Sequence, residues 1–509
     1  MKLLRHLVAP LTAAMLLSSC GGGDSNTPAS TPPPPPATTQ RGALLDMHTV
    51  TSLEPSALLS LLANSDLGQL VLQLAYVPKC TITVYQLDYE TVDARGTLTP
   101  SSGALMVPSG SDSGCSGGRP LLLYAHGTTA DRNFDIAQLT AADDTEGVVL
   151  AAVFAAEGYI VVAPNYVGYA TSTAGYHPYL LAEQQSNDMS DALTAARSAL
   201  PTQDVPGSSD GGKLFITGYS EGGYVAMATH AALQSAGAAV TASAPMSGPY
   251  ALAAFGDAIF EGEVNSSAPV NLTFTLVAYQ KAYGDIYATP ADAIASPYAA
   301  TIETLLPSTD SVGDLEAQGK FPPALFSSTP PSPGYSIYTP ATQPASLAAV
   351  FAAGFGSDFL ITNSYRGAYL ADALAAPDGG FPTLTSGVPA ASPANALRIH
   401  LKANDLRNWS PAAPTLLCGG SSDPTVFFFN TTLMQAYWTA HAPAVTPVVL
   451  DVDSAATAND PYASIKSGFA AAKAAVSAQG GDAAVLADYH AGLVPPFCLS
   501  AVKSFFDAH

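Results

Sequence analysis

Residues 214–232, LFITGYSEGGYVAMATHAA, take an apolar strand into a helix through a turn built on Gly218, Ser220, Gly222 and Gly223. LFIT is short, continuous and apolar. YVAMATHAAL combines good helix formers with apolar side chains at helical spacing. The bare G-x-S-x-G match says little in a chain with 42 glycines. Its setting says more. A serine at a sharp strand-to-helix turn projects its Oγ above the sheet, with a helix N-terminus behind it and room on either side where the neighbours are glycine. A phosphate loop is the competing reading, but no Gly-Lys-Ser/Thr follows. Ser220 is therefore the candidate nucleophile.

Outward from this turn, strands and helices alternate. Upstream, RPLLLYAHG (119–127) is a continuous apolar strand ending on His126-Gly127. A helix near 145–157 leads to the buried strand YIVVAPNYVGY (159–169), and 181–199 reads as an amphipathic helix. Downstream come the strands VTASAPMSGPY (240–250), PTLLCGGSSD (414–423) and TPVVLDVD (446–453), with a helix between the last two. Apolar strands alternating with helices imply an α/β fold, a mainly parallel sheet covered on both faces. TITVYQLDYETVDARGTLTPSSGALMVP (81–108) reads instead as a leading antiparallel pair or trio, with turns at Asp93–Gly96 and Ser101–Gly103. From about 250 to 409 the alternation breaks into an Ala-, Pro- and Tyr-rich stretch with helical patches, LTFTLVAYQKAYGDIY and SLAAVFAAGF. Lying between two sheet strands, it is expected to form a cap or lid over their C-terminal ends.

Met1–His6 is a short basic segment, and Leu7–Leu17 is an apolar run of signal-peptide length, too short to span a bilayer. The run ends in Leu17-Ser18-Ser19-Cys20, which resembles a bacterial lipobox. That resemblance implies lipidation of Cys20 and, since neither Gly21 nor Gly22 is an aspartate, an anchor in the outer membrane. Residues 21–41 are rich in Gly, Ser and Pro and read as an extended tether, leaving 42–509 as the folded domain. The expected location is outside the cytoplasm, periplasmic or on the cell surface. A net charge of −22 with only 18 Lys and Arg makes nucleic acid and anionic lipid surfaces poor partners. Beyond Cys20 there remain Cys80, Cys115, Cys418 and Cys498, an even set suited to disulfides in an oxidising compartment. No Cys-x-x-Cys or His-x-x-x-His spacing supports a metal site.

The segments LLLYAHGTT, VVAPNYVGYATS, ITGYSEGGYVAMA, ASAPMSGPYALAA and NWSPAAPTLLCGGSSDPTV follow one another over roughly 80–500. In that order they make the chain resemble an α/β-hydrolase, and more narrowly the secretory lipase/esterase family of exported bacterial and fungal carboxylesterases. The resemblance implies the chain order Ser, acid, His. It puts the acid at Asp423, in the loop after PTLLCGGSS, ahead of Asp451 and Asp453 one strand later. It puts the base at His490 in ADYHAGLVPPFC, a loop before a terminal helix, where His441 and His509 fit less well. His490 would take the Ser220 proton, and Asp423 would fix and charge-stabilise the imidazole. The same fold implies oxyanion donors at the backbone N–H groups of Glu221 and Thr128, with His126 a structural residue of that loop. Glu221 departs from the glutamine common in relatives, so its carboxylate has to turn away from a developing oxyanion. Of three possible cysteine pairings, Cys80–Cys115 and Cys418–Cys498 join segments that this fold brings together, and the second ties the acid loop to the histidine loop.

What the resemblance implies is a serine carboxylesterase or lipase that works through an acyl-enzyme with no metal or organic cofactor. Its partner would be an ester accessible outside the cytoplasm, with the membrane reached through the lipid on Cys20. The apolar and tyrosine content of the cap suits an acyl or aryl group. Triglycerides, short-chain esters, feruloyl-type aromatic esters and polyesters all stay open, as does the oligomeric state. Two other classes use the same shell: a serine peptidase, and a surface-binding lipoprotein without the chemistry.

Overall fold

The computed structural model describes residues 40–74, 77–139, 145–200, 205, 207–442 and 446–509. The expected signal segment 1–20 with Cys20, and all of the tether except residues 40 and 41, lie outside the described residues. In chain order the strands of the main sheet are β1 (Leu44–Leu53), β2 (Thr81–Val92), β3 (Leu98–Ser109), β4 (Gly117–Ala125), β5 (Ile160–Pro164), β6 (Ser208–Tyr219) and β7 (Ala242–Met246). The cap adds β8 (Ala324–Ser327), β9 (Phe355–Gly356) and β10 (Phe359–Ile361), and the main sheet closes with β11 (Leu416–Gly419) and β12 (Val448–Asp451). The nine-stranded order is β1-β2-β3-β5-β4-β6-β7-β11-β12. β1 to β3 pair antiparallel and β3 joins β5 antiparallel, while every pairing from β5 across to β12 is parallel. This is the mainly parallel sheet of an α/β-hydrolase.

The apolar strands bury both faces because successive side chains point to opposite sides. In β4, Leu121, Leu123 and Ala125 join one core, which also takes residues from the helices Ala182–Ala199 and Glu221–Ser235. Leu122 and Tyr124 join the other, built with Thr145–Val153 and Val494–Asp507. The helices Ala463–Asp488 and Val494–Asp507 form an apolar stretch long enough to cross a membrane by length and composition, and most of it is buried within the protein.

Two strand details differ from the sequence reading. Asp93–Gly96 is the expected turn: the Asp93 N–H donates to Thr97 O at 2.8 Å and Gly96 sits at φ 78°. Ser101-Ser102-Gly103, however, is no turn but the middle of β3, opposite Tyr89, Asp88 and Leu87. Gly103 faces Pro164 of β5, and a Cβ there would lie 2.6 Å from the Ala163 carbonyl oxygen. The glycine serves close approach of a neighbouring strand. The edge strand β1, whose residues are half-buried or exposed, completes the antiparallel trio from sequence upstream of the segment that suggested it.

Residues 250–409 pack as helices, including Leu252–Glu261, Ala268–Tyr283, Asn363–Ala375 and Ala396–Ala403, around a small parallel sheet of order β10-β8-β9. That sheet is an addition to the helical patches read from the sequence. Cap residues Phe260, Tyr279 and Leu370 share one hydrophobic core with Met189, Ile216 and Val225 of the sheet and its helices. Buried ion pairs fasten the region: Arg398 binds Asp257 and Asp372 at 2.7 Å each, and Arg407 binds Asp378 and Asp405 at 2.8 Å each. Removing one partner would strand a charge in a dry interior.

Disulfides join Cys80 to Cys115 and Cys418 to Cys498, 35 and 80 residues apart. On the loop-entropy argument the longer one stabilises the fold by about 4 kcal/mol. C418A/C498A is accordingly expected to lose about 2–4 kcal/mol against denaturant. A midpoint equal to that of the wild type in urea titration would contradict this.

Candidate active site

The topology fixes where a site can lie. From β4 the chain passes to β5 on one side and then back across to β6 on the other. The carboxyl ends of β4 and β6 therefore open a crevice at the reversal of strand order, the place where α/β sheets bind ligands. Ser220 stands at the end of β6 with φ 59° and ψ −122°, a backbone conformation that costs a non-glycine residue free energy and persists only when its surroundings enforce it. The enforcement is visible. Ser220 N–H donates to Met246 O at 3.0 Å, and the helix Glu221–Ser235 begins at once, with Gly223 N–H on Ser220 O at 2.9 Å. Side chains on Gly218 or Gly222 would run into the Ala125 carbonyl of β4, and one on Gly223 into the Met246 carbonyl of β7. Only glycines let this helix start so close to three strands.

His490 Nε2 lies 2.8 Å from Ser220 Oγ, and His490 Nδ1 lies 2.7 Å from Asp423 Oδ2. Asp423 is buried, and its other oxygen accepts the N–H groups of Thr425 at 2.8 Å and Val426 at 3.0 Å. The competing acids are engaged elsewhere. Asp451 accepts the N–H groups of Ser421 and Asp453, and Asp453 binds Lys473 and the Tyr489 hydroxyl at 2.7 Å each. His441 bonds Tyr437 O within its own helix, and His509 bonds Phe505 O.

The segment holding His490 is not the loop expected from the sequence but a π-helical turn, Tyr489–Leu493, between two helices. Pro495 and Pro496 supply no N–H to the carbonyls four residues earlier, so the regular ladder is interrupted there and the turn widens. Three further contacts hold it. Tyr219, directly before the candidate nucleophile, donates its hydroxyl to His490 O at 2.5 Å. Tyr489 OH accepts Ser422 N–H at 3.1 Å while donating to Asp453, and the Cys418–Cys498 disulfide spans the same two segments. Tyr219 and Tyr489 escaped the sequence reading, although each sits beside a residue it singled out.

Thr128 and Glu221 flank Ser220 on the other side. Gly127 lies against the turn, since a Cβ on it would sit 3.7 Å from Ser220 Cβ. The backbone N–H groups of Thr128 and Glu221 donate to no protein acceptor among the described residues. The Glu221 carboxylate does turn away: it is buried, with Oε1 2.6 Å from His177 Nε2 and 2.7 Å from Gln185 Nε2. His126 is also buried, its ring nitrogens on the Gly127 and Asn165 carbonyls, and burial lowers its pKa from the ordinary imidazole value. It stands apart from the Ser220–His490 contact. Glu146, bonded to the Tyr124 hydroxyl at 2.5 Å, has its carboxyl pushed up to about 7 by burial.

Two cavities meet at Ser220. One runs beneath the cap between apolar side chains including Leu252, Phe255, Ile259, Leu272 and Val426, and reaches Ser220 and Glu221. The other is lined by Thr128, Phe134, Glu146, Tyr219 and His490. No group of His, Cys, Asp and Glu suited to a metal ion occurs among the described residues.

Residues 149–272 match the prolyl oligopeptidase family, a span running from before β5 into the second cap helix and including Ser220. The ligand-bound form of the rice cell wall degrading esterase LipA from Xanthomonas oryzae is similar over 91% of this chain and 98% of its own, at 25% identity and a TM-score of 0.65. Another crystal structure of that esterase is 27% identical, with a TM-score of 0.62 over 89% and 98% of the two chains. A candidate hydrolase from Legionella pneumophila, 18% identical, shares the fold with a TM-score of 0.60 over 91% and 97%. No curated protein matches the chain. The fold is that of the α/β-hydrolases, and the family match and the esterase neighbours together support a serine hydrolase.

The choice of acid can be checked directly. Asp423→Asn should lower kcat by about 10³–10⁴-fold through the wrong imidazole tautomer, whereas Asp453→Asn should leave kcat within about tenfold. The reverse ranking in steady-state kinetics would transfer the role to Asp453.

Proposed function

We propose that this protein is an exported serine carboxylesterase whose catalytic triad is Ser220, His490 and Asp423. The observation that carries the reading is the hydrogen-bond relay itself: Ser220 Oγ to His490 Nε2 at 2.8 Å and His490 Nδ1 to Asp423 at 2.7 Å, on a serine strained out of the ordinary backbone regions. Ser220 Oγ attacks the ester carbonyl as His490 Nε2 takes its proton. Asp423 holds the Nδ1 proton and stabilises the imidazolium that forms. The oxyanion of the tetrahedral intermediate is received by the N–H groups of Glu221 and Thr128, each worth about 3–4 kcal/mol in the transition state. His490 returns the proton to the departing alcohol, and water releases the acyl group by the same route.

That proton delivery orients the substrate. The leaving oxygen must lie within reach of His490 Nε2, so the alcohol occupies the cleft that His490 lines. The acyl group then enters the apolar cavity beneath the cap, whose lining includes Ser220 and not His490. Export rests on two disulfides, which persist in oxidising compartments, and on the lipobox-like Leu17–Cys20 with its tether. A lipoprotein held off the outer membrane suits esters too large to import, and the likeness to a cell wall degrading esterase points the same way. Amide hydrolysis is a second reading, favoured by the match to the prolyl oligopeptidase family.

Purified protein and Ser220→Ala are to be compared on p-nitrophenyl esters of graded acyl length and on aminoacyl amides. Ester turnover that falls by about 10⁴-fold or more in the variant is expected. Preference for amides would select the peptidase reading, and turnover unaffected by the substitution would reject Ser220 as nucleophile. Leu272→Trp, which fills the cap cavity, should raise KM for long acyl chains before short ones. An unchanged chain-length profile would move the acyl group to the other cleft.

A further inference from the structure

His177 takes no part in the relay, yet it is the most elaborately surrounded histidine near it. It lies in the loop between β5 and the helix Ala182–Ala199 and is buried. Its Nδ1 is 2.9 Å from Val167 O, and its Nε2 is 2.6 Å from Glu221 Oε1. A carbonyl can only accept, so Nδ1 carries a proton. Gln185 Nε2 donates to the same Glu221 Oε1 at 2.7 Å. The Nε2–Oε1 contact therefore carries one shared proton, and whichever atom holds it the His177–Glu221 pair has no net charge.

The ring is enclosed by aromatic side chains. The rings of Tyr166, Tyr169, Tyr179 and Phe274 enclose the imidazole, with centroids 5.6, 4.9, 5.9 and 6.0 Å away. Three of these rings also carry hydroxyls, and all three reach the loop after β4. Tyr166 OH donates to His126 O at 3.1 Å, Tyr169 OH donates to Thr129 O at 2.7 Å, and Tyr179 OH lies 3.0 Å from Thr128 Oγ1. One side of His177 thus touches the residue after Ser220, and the other touches the rings that hold residues 126–129.

We propose that His177 is the positioning residue of the oxyanion hole, joining its two halves and neutralising the carboxylate that this chain carries beside it. The inference rests on the reading of Ser220 as an esterase nucleophile. Glu221 Oε2 has no hydrogen-bond partner among the described residues, so the paired oxygen provides the compensation for a buried charge. Without His177, that negative charge would sit unbalanced one residue from Ser220 and oppose the oxyanion as it develops. The tyrosine cage would lose the ring it packs around, and with it the setting of the Thr128 loop. The effect belongs to the transition state and not to ground-state binding.

The test is steady-state ester hydrolysis by the full chain, comparing wild type, Ser220→Ala, His177→Gln and H177Q/E221Q. His177→Gln is expected to lower kcat by about tenfold or more with KM changed less than about threefold. Adding Glu221→Gln removes the unpaired charge and lets two amides bond each other, so the double variant is expected to recover most of the lost rate. A purely structural role would leave the double variant no faster than His177→Gln. The inference is overturned if His177→Gln turns over like the wild type, or if the double variant is no faster than His177→Gln. Should His177→Gln alone fail to fold, a folded and active double variant supports the pairing, and an unfolded one overturns it. Wild-type turnover that is absent, or indifferent to Ser220→Ala, would reject the esterase reading and not the role of His177 within it.

Discussion

The backbone at Ser220 is the constraint on which the rest depends. β6 ends and the helix Glu221–Ser235 begins within a single residue, which forces Ser220 to φ 59° and ψ −122°. Neighbouring strands hold that conformation in place: β7 accepts the Ser220 N–H through Met246, and the Ala125 carbonyl of β4 abuts Gly218 and Gly222. Strain of this kind persists because the fold over-determines it, and it aims the hydroxyl out of the sheet while leaving the first helical N–H groups unsatisfied. A projecting serine hydroxyl and a patch of donors are two consequences of one bend.

The partners of Ser220 arrive from far along the chain and are secured by independent fastenings. Asp423 follows β11, and His490 comes from a π-helical turn 67 residues later. The Cys418–Cys498 disulfide, the Tyr489–Asp453 contact and the Tyr219–His490 contact each tie the histidine segment to the sheet or its loops. Holding reacting groups to within fractions of an ångström requires such support, since a small misplacement is costly to the rate. On the opposite side of Ser220 the buried His177–Glu221 pair and its aromatic surround do the equivalent work for the loop after β4.

How much of this was legible in the sequence follows from how local each signal is. Gly218, Ser220, Gly222 and Gly223 lie within six residues of one another, between a run of apolar strand formers and a run of helix formers, so the turn announces itself. Continuous apolar strands such as Leu121–Leu123 and Ile160–Val162 are equally plain, because both faces are buried. Ser101–Gly103 misled, since a glycine required by a neighbouring strand looks in sequence like one required by a turn. β1 went unread because an exposed edge strand alternates only weakly. His177 was invisible for a deeper reason. Its meaning comes from Val167, Glu221, Gln185 and four aromatic rings that converge only in three dimensions, and the tyrosine-rich segment NYVGYATSTAGYHPY was the only local hint.

The central claim is that Ser220 becomes acylated. Its most direct test is rapid quenching of the enzyme during hydrolysis of p-nitrophenyl butyrate, followed by mass spectrometry of the peptides. The account predicts a butyryl mass gain on the peptide containing Ser220, formed in the same phase as the first p-nitrophenol. Turnover with the acyl group on another residue, or with no acylated peptide even in a variant whose deacylation is blocked, would contradict it.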